Sequence, residues 1–167
     1  ALIAEERYAD AYRTILEDNP FPSICGRVCN HRCEDACNRG QADAPVNIMA
    51  LKRFVADWAF EQGIAGSMEQ KREAQPLGLS GKRVAVVGAG PAGLTCAQEL
   101  TRSGGAVTVF DALPVPGGMM RAGVPVHRLP PQVVQREIDQ ILAQGIELKL
   151  NHRVGEVEAL LSEYDAV

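Results

Sequence analysis

Aromatic residues are scarce, 5% of 167 with a single tryptophan, and no apolar run approaches the roughly 20 residues that a membrane-spanning helix requires. The chain has no block of lysine and arginine. Acidic and basic residues mix along it and sum to −4, so it lacks the broad positive field of a nucleic-acid-binding surface. The stretch from Ala1 to Leu16 is charged and amphipathic, unlike a signal peptide. These absences together predict a soluble, cytoplasmic protein without a membrane span. No side chains form a pattern expected of a general acid, base or nucleophile, so no catalytic residue is named. Cys96 stands without a second cysteine near it, which excludes the dithiol of a disulfide reductase. The length allows one compact domain and a smaller one, which is short for an enzyme with two cofactor sites.

Four of the five cysteines crowd into one stretch as Cys25, Cys29, Cys33 and Cys37, a recurrence every fourth residue. Such clustering favours metal over cross-linking. On an unbroken helix the period would place four thiols on one stripe, but Gly26 and the preceding prolines predict a distorted segment. Four soft thiolates suit an iron–sulfur cluster or zinc, and the tight pair plus distant pair usual for zinc is missing. His31 reads as a solvent-facing loop histidine. Arg27 and Arg32 read equally as partners for a cluster's negative charge and as surface residues.

Around this segment the pattern is helical. Ala1 to Glu17 carries Leu2, Tyr8, Tyr12, Ile15 and Leu16 near helical spacing and ends at Asn19-Pro20-Phe21-Pro22. Asn47 is placed to cap a second helix with Ile48, Leu51, Val55, Trp58 and Ala59 along one side, stopped by Gly63. Residues 65–80 have no clear period and read as a linker between a domain at 1–64 and a second at 81–167.

Beyond the linker, strands alternate with helices, the pattern of a parallel sheet. Arg83 to Val87 and Val107 to Phe110 are short strands. Pro91 to Ser103 is a helix with Leu94, Ala97 and Leu100 on its inner face, where Cys96 is expected as a small buried side chain. Gly117 to Arg128 reads as a loop. Pro131 to Gln144 is a helix with Val134, Ile138, Ile141 and Leu142 inward, and Ile146, Leu148 and Leu150 alternate as a third strand. Tyr164 to Val167 looks like the opening of a fourth strand, which predicts that this is a piece of a longer polypeptide, truncated within the second domain.

Between the first strand and its helix runs Gly88-Ala89-Gly90-Pro91-Ala92-Gly93, a G-x-G-x-x-G. Gly88 is expected to make the tight turn, Gly90 to let a pyrophosphate approach the backbone, and Gly93 to let helix pack on strand. Pro91 suits a first helical turn, and the helix N-terminus faces the phosphates. Asp111, ending the second strand, is placed to accept hydrogen bonds from an adenosine ribose and to repel a 2′-phosphate, which disfavours NADP in this turn. The glycines alone do not separate FAD from NAD.

Two further runs carry a resemblance. Gly117-Gly118-Met119 with Arg128-Leu129-Pro130 downstream, and Asn19-Pro20-Phe21-Pro22 with Cys25-Gly26-Arg27-Val28-Cys29 upstream, are similar to the glutamate synthase small subunit family. That family includes the amino-terminal part of dihydropyrimidine dehydrogenase and NADPH-dependent ferredoxin oxidoreductases. The resemblance implies an α/β architecture: a helical iron–sulfur domain followed by the first half of a Rossmann-like FAD-binding domain with a parallel sheet. It implies that Gly88, Ala89, Gly90, Pro91 and Ala92 touch the FAD pyrophosphate and Asp111 the ribose. Gly118, Met119, Arg128 and Val154 would meet the rest of the cofactor, with Gly93 packing the turn. Arg128 also makes independent sense as a bidentate phosphate ligand.

The same resemblance places a 4Fe-4S cluster in the cysteine segment. Cys29, Cys33 and Cys37 match family ligands, whereas the position of Cys25 is often cysteine without ligating. Two departures stand out: the spacing from Cys29 to Cys33 is shorter than in better-known members, and Lys52 occupies about the place of a glutamine ligand. Either Cys25 then serves as fourth ligand or a segment upstream supplies one. The implied activity is electron transfer from NAD(P)H, held by a domain absent from this chain, through FAD and iron–sulfur clusters. The electrons would go to a partner subunit or domain of amidotransferase, ferredoxin or other redox type. The rival readings are a non-redox dinucleotide-binding module and a zinc-stabilised adaptor.

Overall fold

The computed structural model describes residues 1–66 and 78–167, and most of the predicted linker at 65–80 lies outside the described residues. The chain divides into two compact units, split between Arg72 and Glu73.

The first unit is helical. Helix α1 spans Tyr8–Asp18 and α2 spans Pro22–Val28. A short α3 (Arg32–Asp35) and a 3-10 turn (Asn38–Gln41) lead to α4, Ile48–Glu61. The first helix begins later than its apolar spacing suggests, because Glu6 takes a left-handed conformation (φ 56°) that closes a turn before Tyr8. Asn19 then ends α1 and its side chain accepts from the Phe21 N–H at 3.0 Å, turning the chain into α2 at Pro22. As the sequence predicts, Asn47 caps α4, accepting from the Ala50 N–H at 3.3 Å. Ala11, Tyr12 and Leu16 of α1 bury themselves against Val55, Ala56 and Ala59 of α4. Leu51, expected on that inner face, is 36% exposed, since the stripe that meets α1 begins a turn later at Val55.

The second unit is a parallel sheet with helices. Strand β1 (Arg83–Val87) pairs in parallel with β2 (Ala106–Phe110), and β2 with β3 (Glu147–Lys149). Helix α5 (Pro91–Arg102) connects β1 to β2. The one-turn α6 (Met119–Ala122) and α7 (Pro131–Leu142) lie between β2 and β3, and the one-turn α8 (Val157–Leu160) follows. Tyr164 to Val167 runs along the other side of β1: Val84 bridges Ala166 in parallel, and the Ala85 N–H reaches the Ala166 carbonyl at 2.9 Å. The spatial order is therefore β3, β2, β1, then this segment. The order reverses at β1, and ligands of open α/β sheets bind at that reversal, outside the carboxyl ends of the strands.

Val84, Ala85, Val107 and Val109 of the strands are buried, as are Leu94 and Ala97 of α5 and Val133, Val134, Ile138 and Ile141 of α7. Cys96 corrects the sequence reading. It is exposed, because α5 turns Leu94, Ala97 and Gln98 inward and position 96 falls on the opposite side. Among the described residues no helix is long and apolar enough to cross a membrane.

Candidate functional site: a glycine cleft and a cysteine loop

The turn after β1 assigns its three glycines different work. Gly88 has φ +106°, a conformation that L side chains rarely adopt, and its N–H is held by the Phe110 carbonyl at 2.7 Å. A Cβ on Gly93 would sit 1.9 Å from the Gly88 carbonyl oxygen, so this glycine is required by the protein's own packing. Gly90 differs from both. Its backbone is extended (φ −83°, ψ −177°), open to any residue, and a Cβ there would meet nothing nearer than the Gly118 Cα at 4.0 Å. Neither backbone strain nor internal packing accounts for a glycine at 90.

Gly90 is also the N-cap of α5, with Pro91 as the first helical residue. The first N–H groups of the helix have no intrahelical partner, and the helix dipole adds positive potential where they point. Opposite stands the Gly117–Gly118 turn. The Gly117 N–H donates to the Ala89 carbonyl at 2.8 Å, and a Cβ on Gly118 (φ +48°) would come within 3.0 Å of the Gly90 Cα. The Gly88–Gly93 and Gly117–Gly118 turns thus meet backbone to backbone at Gly90 and Gly118, and together they border the candidate cleft. A pyrophosphate needs such a cradle.

Asp111 sits at the edge of the cleft. One carboxylate oxygen accepts from the Ala89 N–H at 2.7 Å and the other from the Leu113 N–H at 2.8 Å. The sequence reading gave this acid a ribose to bind. In the structure it ties the end of β2 to the glycine turn, and each oxygen keeps a second lone pair for a hydroxyl. Met119, 69% exposed, opens α6 directly after Gly118. Arg128 is exposed within the turn before α7. Val154 packs partly buried on the cluster of Ala85, Phe110 and Tyr164, beside which the His152 ring lies 4.9 Å from that of Phe110.

In the cysteine segment the expected distortion takes the form of three short pieces. Cys25 lies inside α2, Cys29 caps its end, Cys33 is in α3, and Cys37 precedes the 3-10 turn. Gly26 is needed for packing: a Cβ would sit 2.8 Å from the Arg53 Cα of α4. None of the four cysteines is in a disulfide, and Cys33 is exposed while the others are half-buried. Among the described residues no three cysteine, histidine, aspartate or glutamate side chains converge as a metal site. The donor chemistry nonetheless suits an iron–sulfur cluster. Backbone N–H groups of Val46, Arg39 and Gly40 are directed at the Cys37 sulfur, that of Val46 with the largest effect, and hold this thiol below its ordinary pKa against the opposing effect of burial.

Two anchors of this segment escape sequence reasoning because their partners are distant in the chain. Arg27 packs with its side chain 9% exposed, and its Nη2 donates to both oxygens of Asp57 at 2.9 and 2.7 Å, binding α2 to α4. Glu34, between Cys33 and Cys37, accepts from the Met49 N–H at 2.8 Å and so caps the same helix that Asn47 caps. His31, 45% exposed, lies 3.5 Å from Glu34.

Comparison with known proteins bears on both units. Residues 1–64 match the family model of dihydropyrimidine dehydrogenase domain II, 4Fe-4S cluster, and residues 86–138 match that of an NAD(P)-binding Rossmann-like domain. The chain is 39% identical to the glutamate synthase (NADPH) small chain of Escherichia coli strain K12, over 99% of this chain and 35% of that one. Over its whole length the chain is a homologue of glutamate synthase small chains. Two further relatives are similar over the same length. The NADP(+)-dependent formate dehydrogenase subunit beta of Moorella thermoacetica is 40% identical over 99% of this chain and 26% of its own. The NADPH-Fe(3+) oxidoreductase subunit beta of Geobacter sulfurreducens is 41% identical over 99% of this chain and 24% of its own. The chain thus spans about a quarter to a third of these curated relatives' length. A helical 4Fe-4S-type domain followed by a Rossmann-like domain is the shared arrangement.

Proposed function

We propose that this chain is the flavin-seating and cluster-bearing portion of an NAD(P)H-dependent electron-transfer oxidoreductase of the cytoplasm. The observation that carries the reading is Gly90: a glycine with an unstrained backbone, no steric need for glycine at its Cβ, and a second glycine against it at Gly118. Gly88 to Gly93 and Gly118 would hold the FAD pyrophosphate, with the N-terminus of α5 supplying positive potential. Asp111 would take the ribose while keeping the Ala89 N–H in place, and an acid there argues against a 2′-phosphate. Met119, Arg128 and Val154 would line the remainder, Arg128 as a phosphate ligand. Bound flavin accepts a hydride from a nicotinamide and releases electrons one at a time.

Residues 1–64 form the cluster-bearing part in this reading, 65–80 the linker, and 81–167 the flavin part. Cys29, Cys33 and Cys37, with Cys25 or a residue of another segment, would hold a 4Fe-4S cluster. What the protein supplies is a thiol at Cys37 held below its ordinary pKa by backbone N–H groups, and a scaffold fixed by Arg27–Asp57 and Glu34. The nicotinamide site and the electron-accepting partner belong to other parts of the complete enzyme, as the formate dehydrogenase, iron(III) reductase and glutamate synthase relatives suggest.

The test is Gly90→Val in the intact protein. The expected result is a folded protein that has lost bound FAD, since a Cβ at 90 meets no protein atom nearer than 4.0 Å and the valine side chain takes up the space beside the backbone where the pyrophosphate would lie. Normal flavin content in that variant would refute the backbone approach proposed here.

A further inference from the structure

The second wall of the cleft is a two-glycine turn that has no side chains to anchor it. Gly117 and Gly118 both have positive φ, +120° and +48°, which glycine adopts readily, so with no side chains of its own the turn depends on contacts from elsewhere to hold one shape. The contacts come from Arg121. We propose that Arg121 is a positioning residue for dinucleotide binding, a latch that fastens the Gly117–Gly118 wall to α7. The proposal rests on the reading of this cleft as an FAD pyrophosphate site.

The geometry is specific. Arg121 Nε donates to the Pro116 carbonyl at 2.7 Å, and a terminal N–H donates to Gln135 Oε1 on α7. The Gln135 amide in turn donates to Asp139 at 2.7 Å, which fixes the orientation of the acceptor. The arginine stem covers the turn itself: a Cβ built on Gly117 would sit 3.0 Å from Arg121 Cγ and 3.2 Å from Val134 Cγ1. From Gly117 the path continues to the phosphate turn through the hydrogen bond to the Ala89 carbonyl at 2.8 Å. A chain of contacts therefore runs from α7 through Gln135, Arg121 and Gly117 to Ala89, beside the point where the pyrophosphate would lie.

Apolar packing alone does not hold this corner. A cavity of about 160 Å³ lies beside Arg121, lined by Met120, Val124, Leu129 and Val134 among others. The polar bonds of the guanidinium supply the constraint that side-chain filling does not. Two acceptors in different directions call for a planar fork with separate donors, which lysine lacks. The Arg121 guanidinium donates to Pro116 and Gln135 and only the backbone N–H of Arg121 reaches the cleft turn, at the Gly118 carbonyl (3.0 Å), so the side chain's effect on binding is indirect.

The experiment measures FAD binding to the intact protein after removal of flavin, by titration calorimetry and by the visible circular dichroism of the bound flavin. Arg121→Met and Arg121→Lys are both expected to weaken FAD about tenfold, the worth of one to two charge-assisted hydrogen bonds, and to reduce the visible dichroism while far-ultraviolet dichroism stays unchanged. Gln135→Ala is expected to weaken FAD in the same direction, and adding it to Arg121→Met should cost nothing more, because both remove one latch. If Arg121→Met fails to fold, Gln135→Ala carries the same expectation alone. FAD affinity within twofold of the unsubstituted protein in these variants, with Gly90→Val unable to bind, overturns the latch and leaves the cleft reading standing. Normal binding by Gly90→Val overturns both.

Discussion

A methyl group on Gly93 would sit 1.9 Å from the Gly88 carbonyl, whereas one on Gly90 meets nothing nearer than 4.0 Å. Gly93→Ala is therefore expected to destabilise the protein by about 1–3 kcal/mol, the usual cost of overpacking, and Gly90→Ala to leave its stability within about 0.5 kcal/mol. Chemical denaturation of the flavin-free protein checks both values, and equal losses would contradict the division of roles. At Cys37 the N–H groups directed at the sulfur favour the thiolate, so alkylation of the metal-free protein followed by mass spectrometry should show this thiol titrating below the ordinary range near about 8.5. A midpoint at or above that range would show that the N–H groups do not reach the sulfur in solution. The glycines were legible in the sequence because each role leaves a residue type at a fixed offset. Arg27 and Glu34 were not, because Asp57 and Met49 come near them only after the helices pack.

Between elements, the Arg27–Asp57 pair is the main polar fastening of α2 to α4, and its partial burial makes it worth more than a surface ion pair. Arg27→Ala should cost about 2 kcal/mol, seen as a lower denaturation midpoint, since it leaves Asp57 half-buried with its guanidinium donor gone. A loss under about 0.5 kcal/mol would mean that apolar contacts between the helices suffice. At the sheet, Asp165 takes the Arg83 N–H and the Lys82 ammonium, both at 2.8 Å, where the last segment meets β1. The Lys82 side chain, and then the Arg83 N–H, hold its carboxyl below the usual carboxylate range. Its contribution is thus present above about pH 4 and disappears as pH falls through the depressed value. Asp165→Asn should make the thermal midpoint less sensitive to pH in that acid window, and an unchanged pH profile would count against the pair. Strands and long helices were legible because burial on one side imposes a period. The cysteine segment has no such period: its short pieces are held by Gly26 against Arg53 and by Glu34 on α4, and neither contact leaves a pattern along the chain.

At the scale of the whole molecule, the two units differ in how far sequence and structure reach. The second unit fixes its glycine turns through backbone geometry, so the proposed seat can be described from the backbone alone. The cysteine unit carries its site in four thiols that do not converge among the described residues, although Cys37 already has its N–H donors. Metal and protein complete such sites together, because ligand positions and binding energy are coupled to folding. The central claim is that one chain brings a flavin seat and an iron–sulfur segment into the same electron-transfer enzyme, and the most direct measurement is the absorption spectrum of the intact protein purified without oxygen, with its flavin, iron and zinc contents. The account predicts a flavin band near roughly 450 nm, a broad iron–sulfur shoulder near roughly 400 nm, and FAD as the released nucleotide. A colourless protein that contains zinc and no flavin would contradict it.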